Sequence, residues 1–406
     1  MASSILEALE IIAKEVNPIS IEILPIESCV GRIIAEDISA FFDLPRFDNS
    51  AMDGYAVKVS DANKAVRCDE VIYAGDNPSM TLEESFAIKI MTGAPIPKGC
   101  EAIVPSENVS TKNDLILLPS NIQMQGFIRK AGEDIRKGTV FLQKGTEINA
   151  YTIASLASQG ISHISVYREI KVVIFATGDE LRPHYENIES YQLYNSNSPM
   201  FLMRSKALGA SVRLVATASD TIEDLQHAIQ ESLDADILIT SGGVSVGDKD
   251  FTKEAFKNLG MQTLIDGIHI KPGKPTNIGK IANTIVVNLA GNPLASMVNY
   301  ELFVRAILRK MSGRKDYYHA SIQSKIKDEY KVRAGKYAVI LGKFDGKYFS
   351  PLRPQMPGMV SPMQEADGMI LITPEIYALE KHQEVKVLPI KWEHTSEEKE
   401  KIFSYA

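Results

Sequence analysis

The stretch Asp236-Ile-Leu-Ile-Thr-Ser-Gly-Gly-Val-Ser-Val-Gly-Asp-Lys-Asp250 joins a short apolar run to a glycine-rich loop that ends in two carboxylates. The apolar run predicts a buried strand, and Gly242, Gly243 and Gly247 let backbone N–H groups approach a ligand where a Cβ atom would obstruct them. The next segment, Phe251 to Leu259, predicts a helix whose N-terminus favours negative charge. The stretch therefore predicts a strand–loop–helix unit that can bind phosphate.

The two aspartates at the end of this loop conflict with phosphate binding, because anions repel one another. A divalent cation that bridges carboxylate and phosphate would remove the conflict. Alternatively, Asp248 or Asp250 simply caps the N-terminus of the helix. The residues alone leave both interpretations open.

Size and composition narrow the class of protein. A chain of 406 residues with 45% hydrophobic content predicts two to four globular domains. Its net charge of −7 argues against broad nucleic-acid binding, and no apolar run approaches the length of a membrane span. Ser3 to Val16 predicts an amphipathic helix rather than a signal peptide. Cys29, Cys68 and Cys100 form no CxxC motif and are odd in number, which favours reduced thiols in a cytoplasmic protein.

The chain from Lys171 to Met311 alternates apolar runs with helical segments, as in a doubly wound α/β domain. Its candidate strands are Lys171 to Ala176, Ser211 to Ala216, Asp236 to Thr240 and Thr284 to Leu289. Such sheets bind ligands at the carboxyl ends of their strands. That rule nominates the loops Thr177 to Glu180, Ser241 to Asp250 and Gly291 to Pro293.

The regions on either side of this domain have the turn-rich pattern of β structure. Before about residue 170 the candidate strands are Ala56 to Val59, Ala87 to Met91 and Ala102 to Val104. After about residue 316 they are Tyr337 to Leu341, Met369 to Thr373 and Glu384 to Pro389. The last eighty-odd residues suit a small barrel.

Lys271-Pro-Gly-Lys-Pro275 is a second candidate ligand-binding segment. A proline after each lysine favours an extended or polyproline conformation, in which residues three apart share a face. Lys271 and Lys274 are therefore expected to reach one anion together. The alternative is a solvated turn with two exposed lysines.

Two further strand-end loops carry polar groups. Asp179 and Glu180 are suited to holding Mg²⁺ or to accepting hydrogen bonds from a heterocycle, although a capped turn would also explain them. Asn292 and Pro293 match the N-cap and first turn of a helix, which is ordinary helix chemistry unless the loop also lines a site. Asp220-Thr-Ile-Glu223 resembles a capping box ahead of another helix.

The N-terminal half holds three turn-like motifs with polar side chains: Phe47 to Ala56, Met91 to Pro95 and Ala131 to Ile135. In the first, Asp53-Gly54 is a good hairpin turn, so turn chemistry alone would explain it. No Ser/His/Asp or Cys/His arrangement is suggested. Carboxylates, lysines and backbone amides favour metal-assisted handling of phosphates over covalent catalysis.

Together these segments resemble the molybdopterin molybdenumtransferase family, known as MoeA in bacteria and related to the gephyrin E domain. The matching segments run in the family's order and are Phe47 to Ala56, Met91 to Pro97, Gly132 to Ile135, Thr177 to Leu181, Ser241 to Asp250, Lys271 to Pro275 and Gly291 to Pro293.

The resemblance implies a multidomain α/β plus β architecture. Residues 1–45 and 140–170 would form an elongated N-terminal domain, with residues 46–139 as an inserted β-rich lid. Residues 171–315 would form the doubly wound α/β molybdopterin-binding domain, and residues 316–406 the C-terminal β-barrel. It also implies a cytoplasmic homodimer in which the lid of one subunit completes the α/β site of the other.

The reaction implied is insertion of molybdate into adenylylated molybdopterin with release of AMP, the final step of molybdenum cofactor biosynthesis, with Mg²⁺ as cofactor. An upstream pterin-adenylylating protein is a possible partner. The catalytic residues implied are Asp53, Thr92, Asp134, Glu180, Asp250, Lys271 and Lys274, with Glu180, Asp250 and Asp220 as metal ligands. The substrate-binding residues implied are Thr177, Gly178, Ser241, Gly242, Gly243, Ser245, Gly247, Pro272, Gly273, Gly291, Asn292, Pro293 and Ser361.

Two departures from the family pattern concern the molybdate pocket. The Gly-Asn-Pro loop is commonly followed two residues later by a serine, whereas this chain has Ala295 and then Ser296. An arginine expected early in the barrel has no clear counterpart, and Arg353 is a guess. The alternative functions are a molybdopterin adenylyltransferase, although related single-domain proteins of that kind lack the flanking β-rich regions, and a non-catalytic cofactor-binding scaffold.

Overall fold

The computed structural model describes residues 2–77, 79–215, 221–243, 251–332 and 335–391. These residues fall into two compact units. Unit one comprises Met1–Ala35, Gly145–Asn149 and Ile164–Ala406, and unit two comprises Glu36–Lys144 and Ala150–His163. Among the described residues, no helix is long and apolar enough to cross a membrane.

The described residues form eight α-helices and one π-helical turn. The helices are α1 Ile5–Glu15, α2 Ala150–Ser158, α3 Asn197–Ala207, α4 Ile222–Gln230, α5 Phe251–Asn258, α6 Pro293–Asn299, α7 Arg305–Met311 and α8 Ser361–Glu365, and the π-helix Tyr300–Val304 joins α6 to α7.

The amphipathic N-terminal helix is confirmed as α1. Ser4 Oγ accepts a hydrogen bond from Glu7 N at 3.2 Å, and the Glu7 carboxylate accepts one from Ser4 N at 2.8 Å. This capping box satisfies two of the amides that every helix start leaves without partners. Ile5, Ala8 and Ile12 follow at helical spacing and are buried against the α/β core.

The centre of unit one is a six-stranded sheet, which confirms the α/β domain. Its strands, in spatial order, are Ser211–Leu214, Lys171–Ala176, Ile237–Ser241, Thr284–Leu289, Asn277–Ile281 and Gln262–Asp266. The first four are mutually parallel and the last two are antiparallel.

Helices cover both faces of this sheet. Side chains alternate across a strand, so Val172 and Ile174 enter the core shared with α1, α3, α6 and α7, whereas Val173 and Phe175 enter the core shared with α4 and α5. Burial on both faces explains why the inner strands Lys171–Ala176, Ile237–Ser241 and Thr284–Leu289 are mainly apolar, whereas the edge strands are mostly exposed.

The C-terminal β-barrel is also confirmed. Its five strands close in the order Ile322–Ile326, Tyr348–Pro351, Ala338–Phe344, Gly368–Ile372 and Glu384–Pro389. Inward-facing Ile340, Phe349, Ile370 and Val387 fill the interior. A barrel of this size leaves room for side chains but not for a ligand inside it.

Unit two contains a six-stranded β-sheet and helix α2. The strands, in spatial order, are Ala102–Pro105, Gly54–Val57, Phe86–Ile90, Ala65–Ile72, Leu115–Leu117 and Ser110–Lys112. The hairpin turn predicted at Asp53-Gly54 is wrong, because Gly54 is already a strand residue opposite Ile90 and Pro105. A Cβ atom at Gly54 would overlap Val104 O, so close strand contact explains the glycine.

Short strand pairs complete the described structure. They are Ile21–Pro25 with His163–Tyr167, Ile38–Ser39 with Val140–Leu142, Asn49–Ser50 with Ile128–Arg129, Leu181–Arg182 with Leu193–Tyr194, and Tyr330–Lys331 with Ala378–Leu379.

Candidate functional site

Unit one contains a cleft of about 720 Å³ at the carboxyl ends of three adjacent parallel strands. The loops that follow Lys171–Ala176, Ile237–Ser241 and Thr284–Leu289 form its base. The cleft-lining residues that the sequence predicted are Thr177, Gly178, Glu180, Ser241, Gly242, Gly243, Gly291, Asn292 and Pro293. The structure therefore brings the three nominated loops together.

The glycines of the opening loop allow close contact between neighbouring loops. Gly242 has a φ of +101°, and a Cβ atom there would lie 2.6 Å from Thr177 O. Gly243 has a φ of +63°, and its Cβ atom would overlap the hydroxyl of Thr252 on α5. Both residues combine a left-handed backbone with a crowded position, so no other residue type fits without displacement.

Asn197 is one of the cleft residues that sequence reasoning missed, together with its neighbours Tyr194, Asn195 and Ser196. Its side chain is buried, and Nδ2 donates hydrogen bonds to Ser241 Oγ at 2.7 Å and to Gly291 O at 2.8 Å. It thereby joins the start of α3 to two of the three loops. The polar run Tyr194-Asn-Ser-Asn-Ser198, at the start of α3, was the available signal. Asn197 Oδ1 is buried and accepts no hydrogen bond from the described residues.

The Thr177 loop places oxygen atoms in the cleft. Thr177 is 3% exposed, and its Oγ1 has no hydrogen-bond partner within the described part of the chain. The exposed Glu180 carboxylate lies over Gly178, where a Cβ atom would stand 2.8 Å from Oε2. A buried hydroxyl without a partner is costly unless a ligand or water completes it. This loop is therefore the part of the cleft best suited to an added polar ligand.

The Gly291 loop precedes α6 as predicted. Asn292 is the N-cap and Pro293 occupies the first turn, but the Asn292 side chain makes no capping hydrogen bond. Instead, Asn292 O accepts from Ser296 N at 3.0 Å. The buried Ser296 hydroxyl donates to Ala290 O, so this serine holds the loop from beneath.

Lys271 is extended, as predicted, and forms a parallel β-bridge with Ala338, but the polyproline helix expected to continue to Pro275 is wrong. Gly273 has a φ of +113°, which is incompatible with a continuous polyproline helix. Lys271 is instead anchored to the barrel, with its N–H bonded to Tyr337 O and its carbonyl oxygen to Val339 N. Lys274 is exposed and Pro275 lines the cleft, whereas Gly273 is buried and Asn299 Nδ2 donates to its carbonyl oxygen at 2.9 Å. Pro272 lies between Lys271 and Gly273 and does not line the cleft.

The predicted lid residues lie in unit two. Asp53 Oδ1 accepts hydrogen bonds from Thr92 N and Thr92 Oγ1, both at 2.7 Å. These two hydrogen bonds to Thr92 lower the pKa of Asp53 below its ordinary value, so its carboxylate is ionised at neutral pH. Asp134 is exposed in the same unit, and its backbone N–H donates to Leu44 O.

Several predicted residues fall outside the described ranges. They are Asp220, Ser245, Gly247, Asp248 and Asp250. The capping box predicted at Asp220 is wrong, because the N-cap of α4 is Thr221, whose hydroxyl accepts from Asp224 N at 3.2 Å. Among the residues described, no three His, Cys, Asp or Glu side chains group closely enough to hold a metal ion.

Two barrel residues were also considered for the site. Ser361 begins α8 and is adjacent in sequence to Val360, which lines the cleft. Arg353 lies over the Tyr330 ring, 4.6 Å from its centroid, and donates to Glu329 O. Its guanidinium is thus engaged within the barrel and does not line the cleft.

Two protein families match consecutive parts of this chain. Residues 3–160 match the MoeA N-terminal region (domain I and II), and residues 173–310 match a probable molybdopterin binding domain.

Curated relatives match over most of its length. The molybdopterin molybdenumtransferase of Haemophilus influenzae is 36% identical over 74% of this chain and 75% of its own. The protein of the same name from Staphylococcus epidermidis is 32% identical over 80% of both chains. Molybdopterin molybdenumtransferase 2 of Mycobacterium tuberculosis is 34% identical over 73% of this chain and 76% of its own.

Solved structures agree with these matches. Two crystal structures of a MoeA molybdopterin biosynthesis protein from Pyrococcus horikoshii superpose with TM-scores of 0.84 and 0.83, at 29% and 27% identity. They cover 97% and 95% of this chain and 100% and 99% of the matched chains. With relatives above 30% identity over more than two thirds of their length, the chain belongs to the MoeA family of molybdopterin molybdenumtransferases.

Proposed function

We propose that this protein inserts molybdate into adenylylated molybdopterin, with release of AMP, as the final step of molybdenum cofactor biosynthesis. The cleft at the carboxyl ends of three parallel strands carries the proposal, since ligands of open α/β sheets bind there. Its volume of about 720 Å³ lies within the usual range for small-molecule sites. The names of the curated relatives support the choice of substrate.

The glycine loops would receive the phosphate groups of the substrate. The cleft is lined by backbone without side chains at Gly242, Gly243 and Gly291. Asn197 joins the Ser241 loop to the Gly291 loop through its two hydrogen bonds. A loop fixed in this way loses little conformational entropy when a ligand binds. Orientation of the substrate by a rigid cleft is the first contribution of this chain to catalysis.

Positive charge for the oxyanion would come from Lys271 and Lys274, next to the cleft-lining Pro275. Lys274 is exposed and free to reach a molybdate or phosphate oxygen. Ammonium groups close to an oxyanion stabilise charge that develops during phosphoryl or metal transfer. Asp53, Thr92 and Asp134 would contribute from the lid side, and Ser361 from the barrel.

Glu180 would hold Mg²⁺ together with Asp250 and Asp220. The donor chemistry fits, because Glu180 offers a carboxylate and Thr177 a hydroxyl that has no partner among the described residues, and Mg²⁺ prefers oxygen ligands. When bound, Mg²⁺ would neutralise phosphate charge and make phosphorus more electrophilic. Ser245 and Gly247 belong to the same proposed loop.

The proposal includes the assembly and the location of the protein. We propose a cytoplasmic homodimer with a cleft shared between subunits, divided into the four domains with the boundaries given above. Cys29, Cys68 and Cys100 are free thiols, as expected in a reducing compartment. An upstream protein that adenylylates the pterin would supply the substrate.

Purified protein incubated with adenylylated molybdopterin, molybdate and Mg²⁺ tests the function. We expect molybdate-dependent release of AMP and transfer of active cofactor to an apo-enzyme. Tight pterin retention without AMP release would indicate a scaffold, and consumption of ATP with unadenylylated pterin would indicate an adenylyltransferase. Either result would overturn the proposal.

Lys274→Ala tests the oxyanion assignment. Loss of one hydrogen bond to a charged group is worth about 1.5–3 kcal/mol, so we expect kcat/KM for molybdate to fall roughly 10- to 150-fold. Lys386→Ala removes the same charge from an exposed barrel position and is the matched control. Normal molybdate dependence in Lys274→Ala would show that this lysine has no such role.

A further inference from the structure

Unit one contains a second cavity, of about 350 Å³, at the end of the sheet opposite the cleft. It is lined by residues 30–33, by Arg168 near the start of strand Lys171–Ala176, and by the C-terminal ends of α3 and α7. The cleft lies where that strand ends. A six-residue strand spans roughly 20 Å, so the two cavities are separate.

The lining of this cavity is strongly basic. Arg32, Arg168, Lys206, Arg309 and Arg314 line it, with Glu147 as the only acidic residue of the lining within the described chain. The four arginine side chains are between 14% and 30% exposed, so they are largely withdrawn from water. Among the described residues, the carboxylates of Glu22, Asp236, Asp316 and Glu147 pair with the four arginines. This leaves the exposed Lys206 as the one cation of the lining without an acidic partner there.

Several donors around the cavity make no hydrogen bond to any part of the chain that the structure describes. Arg32 uses only Nη2, which donates to the Glu22 carboxylate and to Tyr167 O. Arg309 uses Nε and Nη2, both toward Asp316. The N–H groups that remain available to a ligand are Nε and Nη1 of Arg32, Nη1 of Arg309 and Nζ of Lys206. A guanidinium presents its N–H groups as a planar fork, which suits an oxyanion.

Repulsion between neighbouring arginines also favours an anion in this cavity. Burial and the neighbouring charge of Arg314 lower the pKa of Arg309, so a nearby anion would relieve an existing repulsion. Basic residues at the carbonyl ends of α3 and α7 interact favourably with those helix termini. That effect explains Lys206 and Arg309 but not Arg32 and Arg168, which lie on neither helix.

We propose that this basic cavity binds a small oxyanion of the phosphate class, either inorganic phosphate or a phosphate monoester. Its volume suits a compact ligand rather than a dinucleotide. The site does not depend on the function proposed for the cleft. It gives the protein a second anion site, at the opposite end of the same sheet.

Titration calorimetry of the full chain with inorganic phosphate and with glycerol phosphate, at constant low ionic strength, tests the proposal. We expect Lys206→Gln to weaken binding about tenfold, because one charge-assisted contact is lost, and Lys206→Arg to restore it. Lys343→Gln removes the same charge from an exposed barrel position and should bind normally. The ligand that binds more tightly identifies the source of the oxyanion.

A second variant separates this cavity from the cleft. Lys274→Gln should leave phosphate binding at the basic cavity intact, whatever its effect on AMP release. Phosphate binding that is lost in Lys274→Gln but unchanged in Lys206→Gln would place the anion in the cleft and overturn the proposal. Equal weakening in Lys206→Gln and Lys343→Gln would indicate only general charge attraction and would also overturn it.

Discussion

Asn197 is the single side chain on which the shape of the cleft most depends. Its amide group bridges Ser241 and Gly291, whose loops are also joined by the Ser241 hydroxyl, which donates to Ala290 O at 3.3 Å. In Asn197→Ala the buried Ser241 hydroxyl would lose a donor, and we expect the free energy of unfolding to fall by about 1–3 kcal/mol in urea denaturation. Substrate affinity should fall as well, because two of the hydrogen bonds that hold the loops together are lost.

Asn187→Ala is the control for this change, since Asn187 is exposed in the same unit. Its effect on unfolding should stay within about 0.5 kcal/mol. Equal stability of the two variants would mean that the hydrogen bonds of Asn197 are replaced by water.

Gly243 makes a separate prediction about the opening loop. Alanine there would require a left-handed backbone and would overlap Thr252 on α5. Gly346→Ala provides the comparison, because Gly346 has a φ of +90° and open space around it. We expect Gly346→Ala to lower the free energy of unfolding by about 1–2 kcal/mol from backbone strain alone, and Gly243→Ala to lower it further and weaken substrate binding. Similar losses in both variants would show that α5 moves aside freely.

At the scale of elements, an ion pair fixes the start of the central strand Ile237–Ser241. Arg168 binds the Asp236 carboxylate through Nη1 and Nη2, at 2.7 and 2.6 Å. Burial raises the pKa of Asp236, but hydrogen bonds from Arg168 and Lys171 N, with the charge of Arg168, together lower it further than burial raises it. The stabilisation is therefore present above the unfolded-state pKa and is lost as pH falls through the lower folded-state pKa.

Asp236→Asn should accordingly lower the free energy of unfolding by about 1–3 kcal/mol at neutral pH, and the difference from wild type should shrink below about pH 4. Urea denaturation across pH measures it. Asp234→Asn is the matched control, because the Arg213–Asp234 pair is exposed and worth little. If the difference in free energy of unfolding between Asp236→Asn and wild type stays the same below pH 4, the effect comes from packing rather than from charge.

The elements that the sequence predicted best are those determined by local pattern. The strands Lys171–Ala176 and Thr284–Leu289 have the predicted ends, because both faces are buried and most of their positions are apolar. Gly54, Gly273 and Asn197 were misjudged or missed because each is determined by contacts distant in sequence. Gly54 packs closely against Val104, and Gly273 packs closely against Asn299. Asn197 donates a hydrogen bond to Ser241. The cleft was predicted from topology, whereas its internal hydrogen bonds were not.

At the scale of the molecule, the six-stranded sheet gives unit one two chemically different ends. The carboxyl ends of the strands carry glycine loops, the Glu180 carboxylate and the Thr177 hydroxyl, which has no partner in the described part of the chain. The amino ends carry the basic cavity. The three inner parallel strands fix the distance between the two ends, because they are buried on both faces and a change of register would expose the core. Ligands at the two ends would thus be held on one rigid element.

The proposed homodimer predicts that each cleft needs residues from both subunits. As pure dimers, Asp53→Ala and Lys274→Ala should each release AMP much more slowly than wild type. If the lid of one subunit completes the cleft of the other, a heterodimer with one chain of each type has one site carrying both changes and one intact site. Its activity should therefore be about half that of wild type per dimer. Co-expression with two affinity tags yields this species, and a doubly tagged wild-type dimer is the control. An inactive heterodimer would mean that Asp53 and Lys274 serve the same cleft from within one chain, or that dimers do not share sites.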